Sequence, residues 1–451
     1  MTAEATPQDG IADSAPPQPA PLPGYRPVRQ PKLDAALTRF LTSPPQRVLA
    51  IVRRLWPVIR VFRWAVVLRH PDVAEVLQRH DVFRVPFGDE IARLNDGETP
   101  GTPFLLGVDD VGAHGDEARE LMGVFRVADL AQIALTSHAT AAAKLESASS
   151  HEIEAIHDLL AAVPVEVCRE YYGVAVERDE ERQFVYATLE LSGHLFGLPP
   201  IKRSKARHED AAGKYVRAVV DRAIDRSVAQ RGGGHPRDTI VDRLVDAPGQ
   251  ATDPAGAPGP ERRKRIRAIL IGMIVGFVPT DTLASGHILE VLLRTPEAMR
   301  KSLVAAETGD DDGLMRCLFE ALRFMPINLG PWRICGRDYC VAPETPRAKR
   351  LPKGTIVLAM TSSAMFDGRQ VLQPFRFDPS RPASNYMHFG FGMHWCLGAM
   401  IARTQITHTF KALLERPAIE RARRDGSLAL WGLFPDRLRI RFDVEGKRKN
   451  G

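Results

Sequence analysis

The run HFGFGMHWCLG, from His388 to Gly398, constrains the fold of this chain more than any other stretch. Glycines stand before and after Cys396, and an apolar segment that predicts a helix follows at once. Glycine permits the backbone angles of a tight turn and lets the chain approach a flat ligand closely. A sulfur held in such a turn can receive backbone N–H groups, and it lies at the positive end of the helix that follows. The spacing therefore predicts a thiolate ligand at Cys396 rather than a buried free cysteine, the commoner state of an isolated one.

This run resembles the haem-binding signature of the cytochrome P450 family, FxxGxHxCxG, which Phe389, Gly392, His394, Cys396 and Gly398 match. The resemblance extends from about residue 59 to near the C-terminus. It implies a haem b cofactor (iron protoporphyrin IX) with Cys396 as the proximal ligand of the iron. A thiolate there pushes electron density onto the iron, which favours the splitting of an O–O bond.

The chain has 451 residues, 44% of them apolar, and can bury a large core. The resemblance implies a mainly α fold with small β-sheets (α+β), built as one large helical domain over residues 33–445. Residues 1–32 are rich in proline and alanine and predict a disordered lead, and residues 446–451 predict a tail. The 5 cysteines show no paired framework spacing, which predicts a reducing, cytoplasmic location.

The net charge of +6 is moderate, and without a basic stripe on a recognisable module it does not predict nucleic-acid binding. The sequence contains no stretch of about 18 uncharged apolar residues, so it does not predict a membrane-spanning helix. The apolar stretch 48–68 is interrupted by arginines such as Arg53 and Arg60. We expect a buried helix followed by a strand there, and the alternative is a basic helix that lies on a membrane surface.

Glu320 and Arg323 stand three residues apart, on one face of a predicted helix. Such pairs are common as solvated ion pairs, but in the family this one is buried and joined by an arginine from a Pro-x-Arg-Phe segment. Arg376, in Pro374–Phe377, matches that arginine. The resemblance implies a structural triad that braces the cysteine loop, because a buried carboxylate between two guanidinium groups is costly to break.

The two haem propionates need cationic or N–H partners when they are buried. By resemblance these are His394, Arg333 and His114, the last at the start of another helix that contacts the haem. The family has an arginine four residues after that histidine, where this chain has Ala118, with Arg119 one position later. One position is about 100° around a helix, so whether Arg119 takes over stays open.

The long apolar segment 266–293 matches the family's central helix on the distal face of the haem, where an acid followed by threonine relays protons. Without gaps, the match places the threonine at Thr280 and a small residue at Gly276. The acid position is Pro279, which has no proton to relay and removes a helical hydrogen bond. A shifted register would use Asp281 and Thr282 instead, and we favour the unshifted one.

The resemblance implies a haem-thiolate monooxygenase that inserts one oxygen atom from O2 into an apolar organic substrate, with electrons from a separate ferredoxin-type partner. Substrate contacts are expected from residues 83–104, 189–198 and 326–332. Because Pro279 replaces the acid, the alternative is a peroxygenase or a hydroperoxide isomerase or dehydratase. A haem-binding sensor or carrier without turnover is the third hypothesis.

Overall fold

The computed structural model describes residues 23–27, 44–148, 151–197, 207–231, 238–247, 257–422 and 428–443. Helices dominate it, and the sheets are small. The helices are α1 (Gln46–Leu55), α2 (His70–Gln78), α3 (Gly88–Asp96), α4 (Val111–Val124), α5 (Asp129–Glu146), α6 (Ala162–Val167), α7 (Glu181–Ser192), α8 (Arg207–Gln230), α9 (Ile240–Val245), α10 (Pro260–Arg294), α11 (Pro296–Glu307), α12 (Asp311–Phe324), α13 (Thr361–Ala364) and α14 (Ala399–Leu414). Stretches of π-helix flank α6, at Ala155–Leu160 and Cys168–Tyr172, and one follows α7, at Gly193–Gly197.

The strands are β1 (Val58–Val61), β2 (Trp64–Val67), β3 (Phe83–Arg84), β4 (Glu152–Glu154), β5 (Trp332–Cys335), β6 (Tyr339–Val341), β7 (Lys349–Leu351), β8 (Ile356–Ala359), β9 (Glu420–Arg421), β10 (Ala429–Trp431), β11 (Phe434–Arg437) and β12 (Arg439–Arg441). The largest sheet has the order β1-β2-β8-β5-β3, and β2 and β8 run parallel. The other sheets are β4-β12-β9 and the pairs β10-β11 and β6-β7. The predicted mainly helical fold class is confirmed.

Helix α10 organises the core. Its first half packs in one apolar cluster with α7, α8 and the segment before α7, and its second half packs in another cluster with α5, α12 and α14. The helix is long and apolar enough to cross a membrane, but most of its apolar stretch is buried inside the protein. Its apolar character on all sides is that of a helix at the centre of a large protein.

Helix α1 departs from the expected buried helix. Val48, Ile51 and Leu55, which share one face, are exposed, whereas Leu49 and Arg53 on the other side are buried. The Arg53 guanidinium donates to the carbonyl oxygens of Ser363 at 2.8 Å and Phe366 at 2.6 Å, which lie at the end of α13. Strands β1 and β2 follow as a hairpin, in place of the single strand that the sequence predicted.

The expected disordered lead falls mostly outside the described residues, and the expected tail, residues 446–451, falls wholly outside them. The described part of the lead, residues 23–27, is not detached from the protein. The ring of Tyr25 is buried 5.9 Å from the ring of Tyr215, and its hydroxyl donates to Glu190. This contact corrects the prediction of disorder for that short stretch.

Candidate functional site

The cysteine loop is a sharp turn that the glycines make possible. Gly390 and Gly392 have φ angles of 78° and 74°, in the left-handed region that favours glycine. A Cβ on Gly392 would lie 2.6 Å from the carbonyl oxygen of Leu77, so the loop packs closely on the end of α2. The Cys396 amide donates to the Phe389 carbonyl oxygen at 2.9 Å, which closes the turn just before α14 begins.

Cys396 faces a space inside the protein. Its residue surface is accessible, yet burial is the main reason why the pKa of its thiol rises to about 11. Both observations hold if the sulfur lines an internal cavity. The backbone N–H of Gly398 points at the sulfur and opposes the rise in the pKa, and the negative charge of Asp281 adds to it. A thiol with an N–H aimed at it is suited to bind a metal as the thiolate.

The middle of α10 lies within electrostatic reach of Cys396, because, besides burial, the charge of Asp281 raises the pKa of the Cys396 thiol. Gly276 is exposed although the residues around it are buried, and a Cβ built on it would meet nothing within 4 Å. Thr280, one turn later on the same face, is partly exposed, and its hydroxyl donates to the Gly276 carbonyl oxygen. Small, accessible groups on this face leave room for a ligand between α10 and the cysteine loop.

Asp281 and Thr282 point elsewhere. Thr282 is buried and donates to the Val278 carbonyl oxygen at 2.7 Å. Asp281 is buried with one carboxylate oxygen unpaired among the described residues, and burial raises its pKa well above the usual value. Helix α10 continues through Pro279 without unwinding. The exposure of Gly276 and Thr280 therefore favours the register in which Thr280 faces the site.

A cluster of cationic side chains borders the cysteine loop. Arg333 is buried on β5, burial lowers its pKa to about 10, and Asp109 partly opposes that shift. The His394 ring lies 3.3 Å from an Asp109 carboxylate oxygen and meets the His114 ring edge-on, with ring centres 5.1 Å apart. Burial, followed by the neighbouring charge of His394, lowers the pKa of His114.

Each of the two histidines keeps one buried ring nitrogen without a hydrogen-bond partner in the described residues, Nε2 of His114 and Nδ1 of His394. Such atoms need a partner. A buried arginine with two such histidines is a donor set that fits an anionic ligand. These residues, the thiol and the accessible face of α10 together fit the haem that the resemblance implies.

Arg119 does not take the place of the missing arginine. Its side chain is exposed and pairs with Asp116, away from His114. The residue that sequence reasoning missed on this side is Asp109, which holds His394 and also accepts from the backbone N–H of Val85 at 3.0 Å. Its position directly before Asp110, the N-cap of α4, was the available clue.

The structural triad contains a different arginine from the one predicted. Glu320 and Arg323 form a fully buried pair, with an N···O distance of 2.7 Å. The third member is Arg381, whose Nε lies 3.2 Å from the Glu320 carboxylate. Arg376 is exposed, and its side chain contacts only the Gln373 side chain at 3.4 Å among the described residues. Its backbone carbonyl, rather than its guanidinium, joins the network, because it accepts from both Arg323 and Arg381.

Comparisons with known proteins agree with this geometry. The cytochrome P450 family model matches residues 314–424, which include Glu320 and the cysteine loop. Cyclomarin C epoxidase from Salinispora arenicola is 33% identical over 30% of this chain and 34% of its own length. A cytochrome P450 from Rhodopseudomonas palustris is 27% identical over 85% of this chain and 86% of its own length.

The ligand-free structure of cytochrome P450 TbtJ1 superposes with a TM-score of 0.68 at 21% identity, covering 88% of this chain and 96% of that one. The matches to the first three curated relatives cover only 34%, 53% and 48% of those proteins.

Proposed function

Since the chain belongs to the cytochrome P450 family, we propose that it is a haem-thiolate monooxygenase that inserts one oxygen atom from O2 into a small apolar organic substrate. One observation carries the proposal. The Cys396 thiol faces an internal space, and the backbone N–H of Gly398 points at its sulfur. Gly276, in the buried middle of α10, is accessible and has open space around it, so a ligand has room there. Relatives named as an epoxidase and as a hydroxylase/epoxidase support the same reaction class.

The proposed cofactor is haem b, which supplies the redox chemistry of iron when it is bound. Cys396 would hold the iron as a thiolate. Arg333 would offset the charge of the propionates, and His394 and His114 would hydrogen-bond to them through their unpaired buried ring nitrogens. Phe389 and Gly392 shape the loop that presents the sulfur, because one closes the turn and the other permits its close packing.

On the α10 side of the site, Thr280 is the residue proposed to transfer protons. Its hydroxyl is held by the carbonyl oxygen of Gly276, so its own lone pairs face the accessible space, where they can accept a hydrogen bond from water. Pro279 supplies no proton, and Asp281 is turned into the protein. Protons would therefore reach the Thr280 oxygen through ordered water.

The substrate is proposed to be apolar because aromatic rings lie in the segments expected to contact it and next to α10 close to Gly276. The Phe104 ring lies against Gly272, where a Cβ would come within 2.5 Å of it, one turn before Gly276. The rings of Phe87 and Phe196 meet edge-on, with centres 5.2 Å apart, and connect the segment before α3 to the end of α7. These contacts fall in two of the three segments expected to touch substrate.

We further propose that electrons come from a separate ferredoxin-type protein and that the enzyme works in the cytoplasm. An acidic donor would be drawn to a chain with a net charge of +6. Titration with ferredoxins of different charge, followed by the rate of haem reduction, tests this proposal. A rate that is independent of ionic strength would contradict electrostatic docking.

A second candidate is a peroxide-using enzyme, favoured by one specific observation. Pro279 stands in the acid position, and the nearest carboxylate in sequence, Asp281, is buried away from the accessible face. A reaction that begins from a peroxide needs no electron donor and fewer protons, so it does not depend on the missing acid.

Turnover separates the two candidates. The holoenzyme is assayed on one apolar substrate, first with reductase, ferredoxin and O2, and then with hydrogen peroxide alone. Thr280→Ala is expected to lower O2-driven product formation by about 100-fold or more, because a positioned proton relay contributes about 100- to 10,000-fold, and to change peroxide-driven turnover little. Turnover only with peroxide, and equal with Thr280→Ala, would establish the second candidate instead.

A further inference from the structure

The stretch from Arg47 to Arg63 carries an exposed apolar surface that the proposed reaction does not use. Its members are Val48, Ile51, Leu55 and Trp56 on and after α1, and Val61 and Phe62 on the β1–β2 hairpin, all more than half exposed. We call them the α1–hairpin surface. Val48, Ile51 and Leu55 are three and four residues apart, so they form one face of the helix.

Helix α1 has apolar residues on both its buried side and its exposed side. Its buried side contains Leu49 and Arg53, and the guanidinium of Arg53 satisfies carbonyl oxygens at the end of α13. Its exposed apolar side is directed away from the protein. A monomeric protein rarely exposes such a contiguous apolar patch without a partner for it.

The hairpin tip adds an independent observation. Phe62 has a φ of 52° and is 88% exposed. A bulky aromatic residue in the left-handed region is a strained choice for a two-residue turn, where asparagine and glycine are favoured. Among the residues that the structure describes, little covers the ring, since Phe62 is mostly exposed. An exposed aromatic ring at a strained turn is suited to insert into something outside the protein.

The charges around this surface are of one sign. Arg47, Arg54, Arg60 and Arg63 are exposed, and in the described part of the chain none of them has an ion-pair partner. The sequence contains no carboxylate between Asp34 and Asp72. Arg47 lies over the ring of Phe375, with its guanidinium carbon 4.9 Å from the ring centre, so the basic and apolar groups continue onto that neighbouring loop.

We propose that the α1–hairpin surface docks the protein on an anionic lipid bilayer, with the apolar side chains in the interface and the arginines on the phosphate headgroups. This pattern of apolar residues with flanking arginines is that of an interfacial helix. A second copy fits less well, because a two-fold interface would set this surface against itself and arginine against arginine. The proposal does not depend on the reaction that the enzyme catalyses.

The test uses the full haem-loaded chain and co-sedimentation with vesicles of phosphatidylcholine, with or without phosphatidylglycerol. We expect binding to the anionic vesicles that weakens as salt rises. Arg54→Ser and Arg60→Ser should each lower the partition coefficient about fivefold. Ile51→Ser with Phe62→Ser should lower it about tenfold or more.

The matched controls are Arg119→Ser and Leu135→Ser, which change an exposed arginine and an exposed leucine elsewhere, and both should bind like the parent. Trp56 gives a direct readout, since bromine-labelled acyl chains should quench its fluorescence and Trp56→Phe should remove that quenching. No binding to anionic vesicles, or equal losses in the controls, would overturn the proposal. Light scattering that shows a dimer dissociated by Ile51→Ser with Phe62→Ser, without vesicle binding, would assign the surface to a second copy instead.

Discussion

Arg381 and Arg376 lie five positions apart in one irregular loop, and only Arg381 reaches Glu320. The Glu320 carboxylate accepts from Arg323 at 2.9 and 2.7 Å, from Arg381 at 3.2 Å, from the Tyr386 hydroxyl at 2.9 Å and from the backbone N–H of Asp378 at 3.0 Å. Glu320 and Arg323 are fully buried, so solvent cannot replace a lost partner. Removal of one member of a buried ion pair costs about 3–5 kcal/mol.

Arg381→Ala should therefore lower the free energy of unfolding by about 3–5 kcal/mol. It removes the bond to Glu320 and leaves the Gln373 and Arg376 carbonyl oxygens without the donor that Arg381 supplies. Arg376→Ala is the matched control, and it should change stability by less than about 0.5 kcal/mol, because its side chain is exposed.

The assay is urea unfolding of the holoprotein, followed by far-UV circular dichroism and by the Soret band of the haem. The triad braces the cysteine loop, so Arg381→Ala should lower the urea midpoint of both signals, whereas Arg376→Ala should lower neither. Equal losses in the two variants, or a larger loss in Arg376→Ala, would refute the assignment of Arg381 to the triad.

Three further outcomes follow from the same structure. Gly392→Ala should lower the free energy of unfolding by about 1–3 kcal/mol and reduce the fraction of protein that retains haem. The reason is that residue 392 has a φ of 74° and a Cβ there would lie 2.6 Å from the Leu77 carbonyl oxygen. Equal haem content in the variant and the parent protein would contradict this. Arg333→Ala should weaken haem retention in a transfer assay to apomyoglobin, whereas Arg119→Ala should not, and equal transfer rates would remove Arg333 from the propionate site. Burial lowers the pKa of His287 to about 4, so the folded protein favours the neutral imidazole. The resulting stability is fully present above about pH 6.5 and is lost as the pH falls towards 4, by at most about 3 kcal/mol. Urea midpoints measured across that pH range should therefore fall less steeply in His287→Gln than in the parent protein.

The cysteine loop could be predicted from sequence because its constraints are local. Gly390, Gly392 and Cys396 lie within one short loop, and the glycines permit the positive φ angles that the structure contains. The same holds for Glu320 and Arg323, which a single helix face brings together.

The triad arginine could not be predicted in the same way. Arg376 and Arg381 both follow Glu320 in an irregular loop, where no periodicity tells which side chain turns inward. The loop presents the backbone carbonyl of Arg376 to the network, with Gln373 at a φ of 45° shortly before it. That choice depends on the path of the backbone and not on the order of residue types.

Helix α1 was misjudged for a related reason. Its apolar face predicted burial, but the carbonyl oxygens that hold Arg53 come from residues more than 300 positions later. A local pattern cannot include such distant acceptors. These hydrogen bonds and the packing of Leu49 orient the helix, and the face with Val48, Ile51 and Leu55 is left outside.

The central claim is that Cys396 binds the iron of a haem as a thiolate. The most direct measurement is the absorption spectrum of the reduced, carbon-monoxide-treated protein, compared with that of Cys396→Ala and, as a matched control, Cys340→Ala. The parent protein and Cys340→Ala should show a band near 450 nm, and Cys396→Ala should lose it because the thiolate ligand is gone. Absence of the band from the parent protein, or its persistence in Cys396→Ala, would contradict the account.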